Sequence, residues 1–186
     1  EEATAQLAAE LLTFDPDRQN EDQIAYRDGQ RYVARVARWQ GDDSAEFDHI
    51  RPDAAYLITG GFGALGQLVA DWLIEHGAKQ LVVMSRSGAQ REAAKEAVNR
   101  WQTAGATVIV AQGDVAQRND VAVAIAAATL PLRGIFHSAG VLDDGVLDQQ
   151  SAERFATVFA PKVDGALHLH DLTQSLNLDF TIYFSS

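Results

Sequence analysis

The hydrophobic rhythm of the chain changes near residue 50. Before that point, Leu7, Ala8, Leu11 and Leu12 recur on one side of residues 2–12, which predicts a short amphipathic helix. Residues 14–22, FDPDRQNED, form a turn-rich break. Two runs of β-formers then flank Asp28-Gly29 within residues 23–39, a pattern that predicts a hairpin. A helix and a hairpin bury too little surface to stand alone. Residues 1–46 therefore read as the tail of a neighbouring domain, or as an extension packed onto the rest of the chain.

From residue 54 the pattern is short continuous apolar runs, at 54–59, 80–85, 106–112, 134–138 and 179–186. Helical periods alternate with them, at 64–76, 89–103, 120–128, 150–159 and 162–176. Strands that are apolar on both faces and separated by helices predict an α/β fold, a doubly wound parallel sheet of the Rossmann-like kind. Five strands fit, and a full sheet of this type needs at least one more, so the fold is expected to be incomplete at the C-terminus.

Composition narrows the classes. Hydrophobic residues make up 47% and charged residues 22%, the profile of a globular protein. Twenty-six acidic against 15 basic side chains leave a net charge of -11, which argues against nucleic acid as a partner. The chain has no cysteine, so disulfides and thiolate chemistry are excluded, in keeping with a reducing, cytoplasmic setting. No apolar run approaches the roughly 18 residues of a membrane span, and the acidic start lacks a signal-peptide pattern.

The chemistry concentrates after the first strand of this sheet. Thr59 leads into Gly60-Gly61-Phe62-Gly63-Ala64-Leu65-Gly66, with a strand before and an amphipathic helix after. Glycines there let a pyrophosphate approach the backbone amides at the helix start. An NAD site places an acid at the end of the next strand, to accept from the ribose hydroxyls. Here that strand ends in Ser85 and Arg86, a hydroxyl and a guanidinium suited to a 2′-phosphate, and so favours NADPH. Arg86 also reads as an ordinary exposed cation. Asp114 and Val115 follow the third strand, where the acid can accept from the adenine amino group while Val115 packs on the ring, and can equally, or also, cap the next helix. Ser138, Ala139 and Gly140 follow the fourth strand, and their small side chains permit close approach of the nicotinamide ribose. His168 and His170, two residues apart, face different sides of a helix, so no metal site is expected.

TGGFGALG, MSRSG, GDVA, FHSAGVLDDG, FAPKVDGALHLH and FTIYFSS together resemble the ketoreductase domain of modular polyketide synthases, in the short-chain dehydrogenase/reductase superfamily. The resemblance covers residues 54–186 in order and spacing. It implies NADPH-dependent reduction of a β-ketoacyl chain, held as a phosphopantetheine thioester on an acyl carrier protein. It further implies other synthase domains as partners, and a homodimer formed through the parent synthase. Residues 1–50 would be the C-terminal part of a structural subdomain, and 51–186 the N-terminal part of the catalytic subdomain. By the same resemblance Lys162 is the lysine paired with the catalytic tyrosine. Ser186 is the serine that holds the carbonyl, with Ser185 as neighbouring candidate. The family's tyrosine would lie beyond residue 186, so this stretch alone is expected to be inactive. None of Tyr26, Tyr32, Tyr56 and Tyr183 fits that role. Leu142, Asp143 and Asp144 resemble the triplet of B-type ketoreductases, which give the D-hydroxyl, or else form only a polar loop. A fatty acid synthase ketoreductase and a non-catalytic cofactor-binding scaffold are the alternatives.

Overall fold

The structure is a computed structural model that describes residues 2–12, 23–37 and 50–185. The chain divides into two compact units, Glu1–Glu46 and Phe47–Ser186.

In the first unit, helix α1 (Glu2–Leu12) accompanies strands β1 (Ile24–Arg27) and β2 (Gln30–Val33). The strands pair antiparallel with Arg27 opposite Gln30, which leaves a two-residue loop. Asp28 (φ 50°) and Gly29 (φ 75°) both take the left-handed conformation that a tight right-twisted hairpin needs, as the Asp-Gly pair predicts. The expected apolar face of α1 is not what holds the unit. Leu7 and Leu12 are exposed, and so is Ala8, while the Leu11 side chain lies outside the described residues. Glu10 instead accepts from Tyr26 Oη at 2.6 Å and from Arg31 Nε and Nη2 at 2.9 and 2.7 Å. A carboxylate gripped by a phenol and a guanidinium fork is a strong, directional attraction between α1 and the hairpin.

The second unit is the predicted sheet. Strands β3 (Ala55–Thr59), β4 (Gln80–Ser85), β5 (Thr107–Gln112), β6 (Leu132–His137) and β7 (Phe180–Tyr183) are separated by helices α2 (Ala64–Glu75), α3 (Glu92–Thr103), α4 (Arg118–Ala126), α5 (Ala152–Phe159) and α6 (Gly165–Thr173). All neighbouring strands run parallel, in the order β5-β4-β3-β6-β7. Period-two alternation sends Tyr56, Ile58, Leu81 and Val83 to one face, against Val69, Ala70 and Leu73 of α2 and Ala97 and Trp101 of α3. Leu57, Val82 and Met84 go to the other, against Val121 and Ala124 of α4 and Leu169 of α6. Both faces are therefore covered, and β3 has no exposed residue along its length. The buried indole of Trp101 satisfies its N–H on Asp71 Oδ1 at 2.6 Å.

One helical expectation is revised. The sequence predicts two separate helices on either side of Pro161, yet α5 and α6 are joined by a wider, π-helical turn over Ala160–Asp164. Proline has no N–H to donate and its ring needs room at the preceding turn. A local π widening supplies that room without ending the helix, and such widenings recur at functional sites. Among the described residues no helix is long and apolar enough to cross a membrane.

Candidate functional site

The strand order reverses beside β3, so the loops leaving β3 and β6 diverge at the carboxyl edge of the sheet and open a crevice. A cleft of about 730 Å3 occupies it, lined by Thr59, Gly60, Phe62, Gly63, Ser85, Arg86, Asp114, Val115, Ser138, Ala139 and Gly140 among others. The structure thus brings together residues from four strand ends that the sequence places up to 81 positions apart (Thr59 and Gly140).

The glycine turn is fixed from several sides. Gly60 has φ 67°, and its amide donates to Met84 O at 2.9 Å. A Cβ on Gly60 would lie 2.8 Å from the backbone of Ala139, and one on Gly66 would lie 2.6 Å from Gly60 O. One on Gly61 would meet Val83 Cγ1 at 2.5 Å. Three of the four glycines are therefore required by the protein's own packing, a reason additional to the cofactor access that the sequence suggests. Gly63 is the exception. It is extended at the N-cap of α2, where no side chain caps the helix. Gly63, Ala64 and Leu65 are exposed, so the first turn of α2 is open. Gly61, Ala64, Leu65 and Gly66 do not line the cleft themselves. Phe62 does, and its ring stacks on Trp101 with centroids 6.0 Å apart.

At the β4 end, Ser85 Oγ donates to Gly88 O at 3.1 Å, so its proton is committed to the turn rather than to a ligand. Arg86 is exposed and lines the cleft. Arg91, at the start of α3, lines it too and was not singled out from the sequence, where it falls inside a predicted helix with nothing to mark its direction. Asp114 does not cap α4, whose N-cap is Gln117. Its Oδ1 accepts from Ala116 N at 3.0 Å, while Asp120 reaches back to accept from Asp114 N at 2.8 Å. Val115 is buried, and the absent side chain of Gly165 lets α6 close on it.

At the β6 end, Ser138 Oγ donates to Thr59 O at 2.8 Å and ties the two diverging loops together. His137, buried beneath them, meets Thr59 Oγ1 through Nδ1 at 2.7 Å. Burial pushes this imidazole below its ordinary value, partly offset by the Pro161 carbonyl. Lys162 comes from the π turn, and its Cε lies 3.4 Å from where a Cβ of Gly140 would be, so its side chain reaches the loop after β6. Thr157, Ala160 and Pro161 complete that wall.

Ser186 lies outside the described residues; Ser185 is exposed just beyond β7. Tyr183 packs edge-on against His137, and burial pushes its phenol upward, away from neutrality. Tyr56 is fully buried and accepts from Arg51 N at 2.6 Å. Tyr26 is bound to Glu10 and Tyr32 donates to Gln30 at 2.9 Å, both in the first unit. Among the described residues no three metal-ligating side chains cluster. In the loop after β6, Leu142 and Asp144 are exposed, whereas Asp143 is half-buried against Arg154 of α5.

A family model for the KR domain matches residues 54–186. A polyketide synthase of Streptomyces halstedii, GfsA, is 41% identical over 170 residues, which cover 90% of this chain and 2% of that protein. The reducing polyketide synthase DEP5 of Alternaria brassicicola is 42% identical over 137 residues, covering 73% and 6%. The solved first ketoreductase of the tylosin polyketide synthase superposes with a TM-score of 0.73 at 38% identity, covering 98% of this chain and 38% of that one. A structure described as an A1-type ketoreductase gives 0.75 at 34%, covering 99% and 38%. The chain thus spans a tenth or less of the curated relatives it matches, and under half of the solved ketoreductases. The matched model, the relatives and the shared sheet establish that this chain belongs to the KR family, as a ketoreductase domain of polyketide synthases within the short-chain dehydrogenase/reductase superfamily.

Proposed function

We propose that the cleft binds NADPH, and that the full-length protein uses it to reduce the β-keto group of an acyl chain carried as a thioester on an acyl carrier protein. The observation that carries this reading is the pairing of opposite ends in one cleft. At one end is the open N-terminus of α2 with no side-chain cap, and at the other are Arg86 and Arg91 with no acid at the end of β4. A helix N-terminus suits a pyrophosphate. A guanidinium fork suits a 2′-phosphate, and on an unphosphorylated ribose it would find only neutral hydroxyls.

The cofactor supplies hydride when bound. The chain's own residues orient the reactants and supply charge around that event. Lys162 lies against Gly140, where its ammonium would donate to ribose hydroxyls. The same cation favours the phenolate of a tyrosine, whose unperturbed pKa near 10 is too high for exchange at neutral pH. That tyrosine would be supplied by the protein beyond residue 186. A serine at the end of β7, Ser186 or its neighbour Ser185, would donate to the substrate carbonyl as negative charge develops. Leu142, Asp143 and Asp144 follow Val141, which lines the cleft, and are proposed to guide the substrate so that the D-hydroxyl forms. Residues 1–50 are proposed as the C-terminal part of the structural subdomain that accompanies this catalytic subdomain.

Titration of NADPH and NADH into the full-length protein tests the cofactor assignment. NADPH is expected to bind at least about tenfold tighter, a difference of about 1.4 kcal/mol. Arg86→Ala should abolish most of that preference with little effect on NADH. Equal affinities in the wild type would sink the assignment.

A further inference from the structure

Arg154 sits in the first turn of α5, where a cation opposes the helix dipole and so gains nothing from the helix itself. Its guanidinium is engaged entirely on the loop after β6. Nη2 donates to Asp143 Oδ1 at 2.5 Å, Asp143 O at 3.2 Å and Asp144 O at 2.9 Å. Nη1 donates to Gln149 O at 3.0 Å. A Cβ on Gly145 would lie 2.8 Å from Nη1, so the glycine clears the space that the guanidinium fills. Gln150 Nε2 closes the same loop on Gly145 O at 3.1 Å.

Arg154, helped by Gln150, therefore fixes the path of residues 143–149, and among the described residues Arg154 alone holds its Asp143–Asp144 end. Asp143 is turned inward onto Arg154, so Leu142 and Asp144 on either side are turned out, with Leu142 79% exposed. This outward pair stands directly after Gly140 and Val141, which line the cleft, and Thr157 lines it from α5 one turn beyond Arg154.

We propose that Arg154 is a specificity-determining positioning residue: it latches the loop of residues 142–149 so that Leu142 and Asp144 face the incoming acyl thioester, and thereby sets which face of the ketone meets the cofactor. Asp143, in this arrangement, serves the latch and does not touch substrate. The inference rests on the reading of the cleft as a ketoreductase site. It differs from that reading in naming which group controls the loop, and it does not depend on which enantiomer the wild type makes.

The geometry explains why an arginine is needed. Four acceptors on three residues and a turn must be met by one planar group, and a lysine ammonium offers three donors from a single point. The ion pair also holds the Asp143 carboxyl below the ordinary carboxylate range, chiefly through the hydrogen bond from Arg154.

The test uses the full-length protein with a carrier-bound β-ketoacyl substrate. Three readouts are taken: the enantiomer ratio of the product by chiral chromatography, hydrogen exchange of residues 141–149, and NADPH affinity. Arg154→Met is expected to raise the minor enantiomer at least tenfold and speed exchange across the loop, with NADPH affinity within twofold. Arg154→Lys should restore part of the ratio. Asp143→Asn, which keeps the side-chain volume, is the second variant if Arg154→Met does not fold, and should shift the ratio in the same direction. A wild-type ratio in the variants, with the loop loosened or not, would overturn the inference. A wild type that makes mainly the L-hydroxyl would instead remove the B-type reading, and the latch would still stand or fall on whether Arg154→Met moves that ratio. No reduction by the wild type together with no NADPH binding would overturn the ketoreductase reading and the latch with it.

Discussion

At one end of the cleft the turn between β3 and α2 is held by backbone hydrogen bonds and by close packing of uncharged atoms. At the other, the loop between β6 and α5 is held by one guanidinium on carbonyls and a carboxylate. The glycine turn has Gly60 against Ala139, Gly61 against Val83 and Gly66 against Gly60, with no space for a single added carbon. The loop of residues 142–149 is largely exposed, and its fixed points are the contacts of Arg154 and Gln150. The difference matches what each end would have to do. A cofactor's pyrophosphate is constant, so a rigid backbone cradle suits it. Substrates vary, and a loop governed by side chains is changed by a few substitutions without disturbing the sheet.

The comparison breaks most easily at the rigid end. Gly60→Ala forces a left-handed alanine and drives its Cβ into the Ala139 backbone, a cost of roughly 2–4 kcal/mol in sum. Thermal unfolding should show that loss, and NADPH binding should fall with it. An alanine tolerated without either change would mean that the turn is looser than its contacts indicate. Lys162→Ala separates chemistry from packing. Turnover is expected to fall at least about 100-fold, as for loss of a group that prepares an acid–base residue. The unfolding midpoint should stay close to wild type, because Lys162 is only half-buried.

His137 allows the rigid end to be probed without touching its glycines. Its pKa is lowered by burial, so the unfolded chain binds a proton at higher pH than the folded one. Stability should then decline as pH drops below the ordinary 6.5 toward the lower folded value, by at most about 1.4 kcal/mol per pH unit. His137→Asn preserves a partner for Thr59 Oγ1 and should flatten that slope, which denaturant unfolding at pH 7 and 5.5 would reveal. The smallest effect belongs to the latched end. The Asp143 carboxyl is held below its ordinary 3.8, so its contribution is full above that value and fades as pH falls through the folded one. Hydrogen exchange of residues 141–149 should accelerate selectively below about pH 3.8, relative to the β3–α2 turn; equal acceleration at both ends would remove the distinction between them.

Much of this was legible in the chain itself. Continuous apolar runs between helical periods specified a parallel sheet covered on two faces, because only a strand buried on both sides tolerates such a run. Asp28-Gly29 specified its hairpin, since few other pairs take two left-handed residues in succession. The glycine cluster and the acid-free end of β4 both fall on the cleft at the carboxyl edge of the sheet, where the spacing of the elements put them. What failed to show in the sequence were relations set by direction rather than by residue type. Leu7 and Leu12 of α1 follow helical spacing yet are exposed, while Glu10 of that helix is the residue bound to the hairpin. Pro161 carries the usual signal of a helix end, yet the helix widens and continues.

Local propensity and periodicity act over a few residues, so the sequence alone determined the elements, the sheet type and the glycine-rich turn after β3. Long-range geometry decided the rest. That Gly66 is needed by Gly60, that Ser85 turns its hydroxyl to Gly88 and not to the cleft, and that Arg154 governs Asp143 from 11 positions away all depend on where folded backbones bring atoms together. A hydrogen bond is decided by a few tenths of an ångström and by angle, and neither is encoded in the spacing of residues along a chain.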